Sequence, residues 1–369
     1  MKILAIETSC DETGIALVEG HKTPAGFTFV VLKNALLSQA ALHAEFGGVY
    51  PNLAKREHEK NLPILFKEFE NEEVDAIAVT RGPGLEPALW TGVGFAKKIA
   101  AQWHKPLLPM NHMEGHLISS LITHTHPNKL ENVGMSGELH DVALPVLALL
   151  ISGGHTEFIL MKEWFKYEMV GETQDDAVGE AFDKVARMLA LPYPGGPEVS
   201  RLAAHARSIK DRPLYSDAKD GPWKLPRPML NTNNCDTSFS GLKTAVLYAL
   251  RDQGGIQKLS ADEIAACAGE FEDAVTDVLV AKTKRALGET GAKTFVIGGG
   301  VAANTHLRTT LTAEVQKEFP DVSVQLPELS ITGDNAIMIA EAALLRRLSL
   351  HDDATEEDFR AVGNLSIAG

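Results

Sequence analysis

Apolar positions follow two periods along the chain, and the switch between them marks its elements. KILAIET (2–8) is apolar on both faces, the polar turn SCDET follows, and GIALVEG (14–20) is apolar again, which predicts a β-hairpin. LPVLALLISGGHTEFILMK (144–162) repeats the plan, with a strand, a tight turn at Ser152-Gly153-Gly154-His155 and a second strand. Short apolar runs at 75–80, 107–110, 293–298 and 322–326 read as buried strands, whereas 52–71, 87–103, 175–190, 261–289 and 333–348 carry helical periodicity. Strands alternating with helices, in two halves that each open with a hairpin, predict an α/β fold with duplicated halves. The boundary is expected near 105–112. It divides an N-terminal subdomain, 1–108 completed by the C-terminal helix 333–369, from a second one, 109–332. Residues 124–142 are polar, aperiodic and carry three histidines, so they read as an exposed insertion.

The length, 369 residues, suits two domains of ordinary size, and 44% hydrophobic residues suffice for sizeable cores. A formal charge of −14 argues against bulk attraction to nucleic acid or an anionic membrane, so a nucleic-acid partner needs a local patch. The best is 201–227, where Arg201, Arg207, Lys210, Arg212, Lys219, Lys224 and Arg227 face three acids. It reads equally as a solvated surface and as an RNA face, on which Arg201, Arg207, Lys210 and Arg212 would meet phosphates. Cys10, Cys235 and Cys267 lack disulfide or zinc spacing and point to reduced thiols and a cytoplasmic protein. The opening MKILAIETSCDE meets an acid too early for a secretory signal. Val142 to Ile151, interrupted by Pro145, is about half the ~20 residues of a membrane span.

His112 and His116 open an apolar-periodic segment, HMEGHLISSLI, and at i,i+4 project from one helical face with metal-ligand spacing. The pattern differs from HExxH because the glutamate stands third, so a protease would lack its base. A third ligand is needed. Asp334, just before AIMIAEAALL, reads either as a helix cap or as that carboxylate. Two histidines with one carboxylate leave open positions, as in non-haem iron or catalytic zinc sites. Gly298 to Asn304 follows the strand TFVI and opens a helix, and with Gly153-Gly154 and Gly195-Gly196 it offers three close-approach loops that favour a nucleotide. Asp183, with Arg187 at i+4, reads as an ordinary surface ion pair, and Asp11 as a turn residue.

ETSCDETG (7–14), HAEFGGVYPNLAKREH (43–58), RGPGL (81–85), NHMEGH (111–116), LISGGHTE (150–157), FDKVAR (182–187), YPGGP (193–197), SFSGLKTA (238–245) and GGGVAAN (298–304) together resemble the TsaD family. This family, also called Gcp, comprises the tRNA N6-adenosine threonylcarbamoyltransferases. The resemblance spans nearly the whole chain and implies an actin/Hsp70/sugar-kinase (ASKHA) fold around a nucleotide cleft. It also implies transfer of threonylcarbamoyl from threonylcarbamoyl-adenylate to N6 of adenosine 37 in tRNAs reading ANN codons, with release of AMP. His112, His116 and Asp334 would be the ligands of a divalent metal, Fe2+ foremost and Zn2+ as the alternative. Leu150, Ile151, Ser152, Gly153, Gly154, Asp183, Gly196 and Asn304 would hold the adenylate, and Asp11 would lie at the reacting group. A TsaB-like partner of the same fold and a TsaE-like ATPase are implied as well, and no membrane. The chain departs from the family at Asn52, at Ser200 (aspartate in many members), at Glu86-Pro87 and in the 124–142 insertion. Competing readings are a metal-dependent endopeptidase, the older label, a non-catalytic scaffold of the same fold, and an ATP-dependent kinase.

Overall fold

The computed structural model describes residues 1–127, 132–140, 142–208, 223–350 and 358–369. The first hairpin forms as its pattern predicts: β1 (Lys2–Glu7) pairs antiparallel with β2 (Glu12–Thr23), from Lys2 opposite Glu19 to Glu7 opposite Gly14. β3 (Gly26–Ser38) pairs with β2, and the short α1 (Ala40–Ala44) and α2 (Pro51–Phe66) follow. β4 (Ala76–Gly82), α3 (Glu86–Trp103) and β5 (Leu107–Asn111) add two parallel strands beside β1. The chain then enters α4 (His112–Leu121), β6 (Thr123–Thr125) and β7 (Ser136–Leu139). The first sheet has the order β5-β4-β1-β2-β3-β7-β6.

The second half repeats the plan. β8 (Val146–Ile151), β9 (Thr156–Glu163) and β10 (Lys166–Glu172) form a meander, followed by α5 (Val178–Met188), α6 (Gly195–Ser208), α7 (Ser240–Asp252) and α8 (Ala261–Thr290). β11 (Thr294–Gly298) joins parallel to β8, and α9 (Thr305–Glu318), β12 (Ser323–Gln325) and α10 (Ala336–Leu350) complete the chain. The order is β10-β9-β8-β11-β12.

Three apolar cores account for the layering. One face of the first sheet packs against α2 and α3 through Leu4, Ile6, Leu62 and Leu89. One face of the second packs against α5 to α9 through Leu147, Leu149, Phe182 and Phe271. Between the sheets lie α4 and α10, both buried on nearly every face, and this middle core joins Ala5 and Val18 to Ala148, Leu150 and Val296. β1 and β8 are apolar on both faces because each is covered on both faces.

One segment differs from its sequence reading, and one of the two readings of Asp334 falls away. The insertion at 124–142 is not simply exposed: its described parts supply β6 and β7, which extend the first sheet at β3, and Met135 and Leu139 are fully buried. Strands of three and four residues are too short to show a period. Residues 128–131 and 141 lie outside the described residues. Asp334 is not the cap of α10 either. That role belongs to Asn335, whose Oδ1 accepts the Met338 N–H at 3.0 Å. No helix among the described residues is long and apolar enough to cross a membrane, and the three cysteines are free.

Candidate functional site

The first shared point of the two halves is the N-terminus of α4. Asn111 caps it, accepting the Met113 and Glu114 N–H groups at 2.9 and 3.2 Å, which starts the helix at His112 and stacks His116 one turn on. The two rings meet edge to face with centroids 4.7 Å apart. Asp334 arrives from 218 residues away, its Oδ1 3.1 Å from His116 Nε2 and 3.3 Å from His112 Nε2. All three ligand atoms lie within 4.8 Å of one another. Both histidines are buried, and the carboxylate is half-buried at the open side.

Glu7, at the buried end of β1, faces His112 Nδ1 at 3.2 Å and accepts the Ser9 N–H and the Thr80 hydroxyl, each at 2.5 Å. A carboxylate on the far nitrogen of a histidine fixes its tautomer and aims Nε2 outward, the usual support of a metal-ligating imidazole. The charges respond accordingly. Burial opposes ionisation of Asp334 and Glu7, yet the His112 ring holds both below the ordinary carboxylate range. Burial also opposes protonation of His112, but Asp334 and Glu7 outweigh it and raise its pKa, whereas burial leaves His116 lowered. Two imidazoles and one carboxylate suit iron(II) or zinc, so the donor set fits the divalent ion implied by the sequence. Glu114, the third residue of HMEGH, points elsewhere. Its two oxygens accept Arg346 Nε and Nη2 at 2.5 Å each, so it offers no base to a peptidase.

Asp11 sits in the hairpin turn of the first half, only 7% exposed. Its neighbour Glu12 is pushed up to about 9 by burial and by the charges of Asp334 and Asp11, to which it hydrogen-bonds. His155, pushed down to about 4 by burial and by the nearby His112, borders the same space. Glu7, Glu12 and His155 did not stand out in the sequence. The available signal for Glu7 is an acid ending a strand that is apolar on both faces.

A cleft of about 860 Å³ lies in the second half, lined by Gly153, Asp183, Gly196, Ser200, Glu272, Gly300 and Asn304 among others. The Gly298 to Gly300 turn connects it to the histidine cluster. Its Gly298 leaves room for the His116 carbonyl, and Gly299, at φ +88°, carries no Cβ because one would lie 2.4 Å from the Ile151 carbonyl oxygen. Of the residues expected to hold an adenylate, Leu150 and Ile151 are fully buried side chains in the cores, so only their backbone can face a ligand. Ser152 Oγ accepts the Gly154 and His155 N–H groups at 3.3 and 3.1 Å and shapes the turn, where Gly153 and Gly154 are exposed. Asp183 does not pair with Arg187. It accepts the Gly195 N–H at 2.8 Å, and burial nevertheless raises its pKa. Arg187 instead donates to the Gly47 carbonyl of the first half. Asn304 caps α9 through the Leu307 N–H at 2.9 Å, and its amide nitrogen donates to Ser200 Oγ (2.9 Å) and Glu272 Oε1 (2.7 Å).

The basic segment loses much of its free charge on folding. Arg207 pairs with Glu272 and Asp273 at 2.5 Å each, Arg227 with Glu270 and Asp277, and Arg201 with Glu198. Lys210, Arg212 and Lys219 lie outside the described residues. Arg207 is therefore a wall of the cleft rather than the free phosphate contact expected of it.

The chain resembles full-length HypF, solved in its phosphate- and nucleotide-bound form, with a TM-score of 0.54 at 11% identity over 96% of this chain and 47% of that one. HypF from T. kodakarensis gives 0.53 at 13%. Both likenesses concern the fold alone, which is of the ASKHA class. The sequence relatives are much closer. tRNA N6-adenosine threonylcarbamoyltransferases from Aromatoleum aromaticum (42% identical, 94% of this chain and 91% of the relative), Thermosipho africanus (39%, full length on both sides) and Burkholderia vietnamiensis (43%, 94% and 92%) match along its length. A model of the TsaD family matches residues 30–341, and with these relatives it establishes that the chain belongs to the TsaD family, the tRNA N6-adenosine threonylcarbamoyltransferases.

Proposed function

We propose that the chain transfers the threonylcarbamoyl group of threonylcarbamoyl-adenylate to N6 of adenosine 37 in tRNAs reading ANN codons and releases AMP. One observation carries the reading: the His112, His116 and Asp334 cluster, backed by Glu7, is joined through the Gly298 to Gly300 turn to a glycine-walled cleft of nucleotide size. The adenine N6 amine is a poor nucleophile, so the substrate must arrive activated as a mixed anhydride. The amine nitrogen bonds to the carbamoyl carbon, the bond from that carbon to the phosphate oxygen breaks, and AMP departs with the electron pair. A divalent ion held by His112, His116 and Asp334, Fe2+ or Zn2+, would supply positive charge beside the acyl phosphate.

The remaining work falls to the chain itself. The backbone of Leu150 to Gly154, with Asp183, Gly196 and Asn304, would bind the adenylate and hold its carbonyl in place. Asp11, buried in the turn beside the cluster, would accept the amine proton or align the amine. The TsaB-like and TsaE-like partners and a cytoplasmic setting belong to the same proposal. The test is incubation of the protein, with its partners, with synthetic threonylcarbamoyl-adenylate and tRNA, followed by nucleoside analysis. Replacement of His112 and His116 by alanine is expected to abolish bound metal and product while the fold persists. Unchanged metal content or unchanged product in that variant overturns the site.

A further inference from the structure

Phe46 and Tyr50 expose 57% and 52% of their surface, although their rings stack with centroids 5.8 Å apart and planes 26° from parallel. Large aromatic rings held together in solvent mark an interaction surface more often than a folding element. The loop that carries them is tied down from both halves. The Phe46 and Gly48 N–H groups donate to the His43 carbonyl (3.0 and 3.4 Å), the Tyr50 N–H donates to His43 Nδ1 (3.2 Å), and Arg187 reaches the Gly47 carbonyl from α5.

The anchor continues to the reacting centre. His43 is fully buried, and its Nε2 donates to Gln39 Oε1 at 3.2 Å. The Gln39 backbone N–H donates to the Asp11 carbonyl at 2.9 Å, and its Nε2 donates to His58 Nδ1 at 3.3 Å. His58 Nε2 closes the chain by donating to the Cys10 carbonyl at 3.0 Å. Burial lowers the pKa of both rings and so favours the neutral form, with one donor and one acceptor on each. On its other side the loop encloses a hollow of about 330 Å³ with Asp183, Tyr193 and Gly195. The aromatic pair is thus fixed at the rim between Asp11 and the nucleotide cleft.

We propose that Phe46 and Tyr50 form a stacking platform for an unpaired base of the RNA substrate, adjacent to the adenosine that is modified. The inference rests on the transferase reading. An adenine whose N6 must reach a carbonyl inside a cleft has to leave its stack, and its neighbour then loses a stacking face. A fixed aromatic pair replaces that face without reading sequence. The net field of the chain does not attract the RNA. The chain is acidic overall and Arg207 and Arg227 are engaged by acids of α8, so uncharged stacking supplies affinity that the field does not.

The experiment compares Phe46→Ala, Tyr50→Ala and the double variant with Phe46→Trp and Tyr50→Phe, each in the assembled complex with its partners. A tRNA bearing 2-aminopurine next to the target adenosine reports stacking by its quenching. Each alanine is expected to raise KM for tRNA by about tenfold and to relieve quenching, with KM for the adenylate unchanged and the aromatic replacements near wild type. Unaltered tRNA KM and quenching in the double variant overturn the platform. So does loss of complex assembly with unaltered RNA binding, which makes the patch a protein interface. A wild type that quenches the probe but yields no product refutes the transferase reading and leaves the platform standing.

Discussion

Replacing Glu7 by glutamine tests the proposed metal centre with the least disturbance of shape. The carboxylate is wholly buried and satisfies three neighbours: the Ser9 N–H, the Thr80 hydroxyl and His112 Nδ1. Glutamine keeps the volume but turns one oxygen into a donor. Placed toward Ser9 the amide nitrogen opposes an N–H; placed toward Thr80 it faces both the hydroxyl and the imidazole that needs an acceptor. Either way a hydrogen bond to a charged group is lost, worth roughly 1.5–3 kcal/mol. Loss of an outer partner of a ligating histidine costs about 10–100-fold in metal affinity, and at about 1.36 kcal/mol per tenfold this is of similar size. A dissociation constant raised by one to two decades is therefore expected from competition with a chelator, with a matching loss of transfer activity at limiting metal. The metal-free protein supplies a second readout. Glu7 is depressed by His112, so its contribution is present above the ordinary carboxylate pKa and is lost as pH falls through the lowered folded value. His112 is raised, so its contribution is full below about 6.5 and is lost as pH rises through its folded value. The glutamine variant should lose the Glu7 part of the acid limb in thermal denaturation with chelator present, while the part from Asp334, also held below the ordinary range, remains. Wild-type metal affinity in the variant would refute the assignment of Glu7 as the support of the site.

His124 Nε2 meets Glu341 Oε1 at 2.7 Å with both side chains 1% exposed, and despite burial the carboxylate raises the histidine above its ordinary pKa. Its stabilisation is present below about 6.5 and falls as pH rises through the raised value, and His124→Ala, which strands a buried carboxylate, should cost about 3–5 kcal/mol in urea denaturation. Gly299→Ala should cost at least roughly 1–3 kcal/mol in the same assay, since it combines an unfavourable φ with a contact to the Ile151 carbonyl. Arg207→Ala should weaken adenylate binding, measured by calorimetry, and leave the salt dependence of tRNA binding unchanged. A slope reduced by about one unit would instead return Arg207 to the RNA surface.

The histidine pair was legible because helical period alone brings i and i+4 together, and Asn111 fixes where the period starts. The place of Asp334 was not decidable, since an aspartate before a helix is also a good cap, and only the observed bond from the Met338 N–H to Asn335 assigns the cap to Asn335 and leaves Asp334 to the histidine cluster. Glu7 and Glu272 were illegible for a different reason. Glu7 ends an otherwise apolar strand and Glu272 is one of several acids along α8, and the meaning of each depends on partners far along the chain: Thr80 and His112 for Glu7, Arg207 and Asn304 for Glu272. The hairpins at 2–20 and 144–162 carried enough continuous apolar signal around their turns to mark the central strands of both sheets, whereas β6 and β7 carried none.

Asp183 and Arg187 show where spacing misleads. Four residues apart on α5, they read as a pair, but an exposed i,i+4 ion pair is worth only about 0.3–0.5 kcal/mol and yields to any better tertiary partner. Folding provides two. The Gly195 N–H needs an acceptor and finds Asp183, because Gly195 packs so close to α5 that a Cβ there would lie 2.4 Å from that of Ala186. The Gly47 carbonyl, at a turn with φ +66°, finds Arg187. The first contact shapes the floor of the nucleotide cleft and the second joins the loop of Phe46 and Tyr50 to the opposite half. Residues whose spacing suggested a surface pair therefore take separate tertiary partners, Asp183 within the second half and Arg187 across to the first.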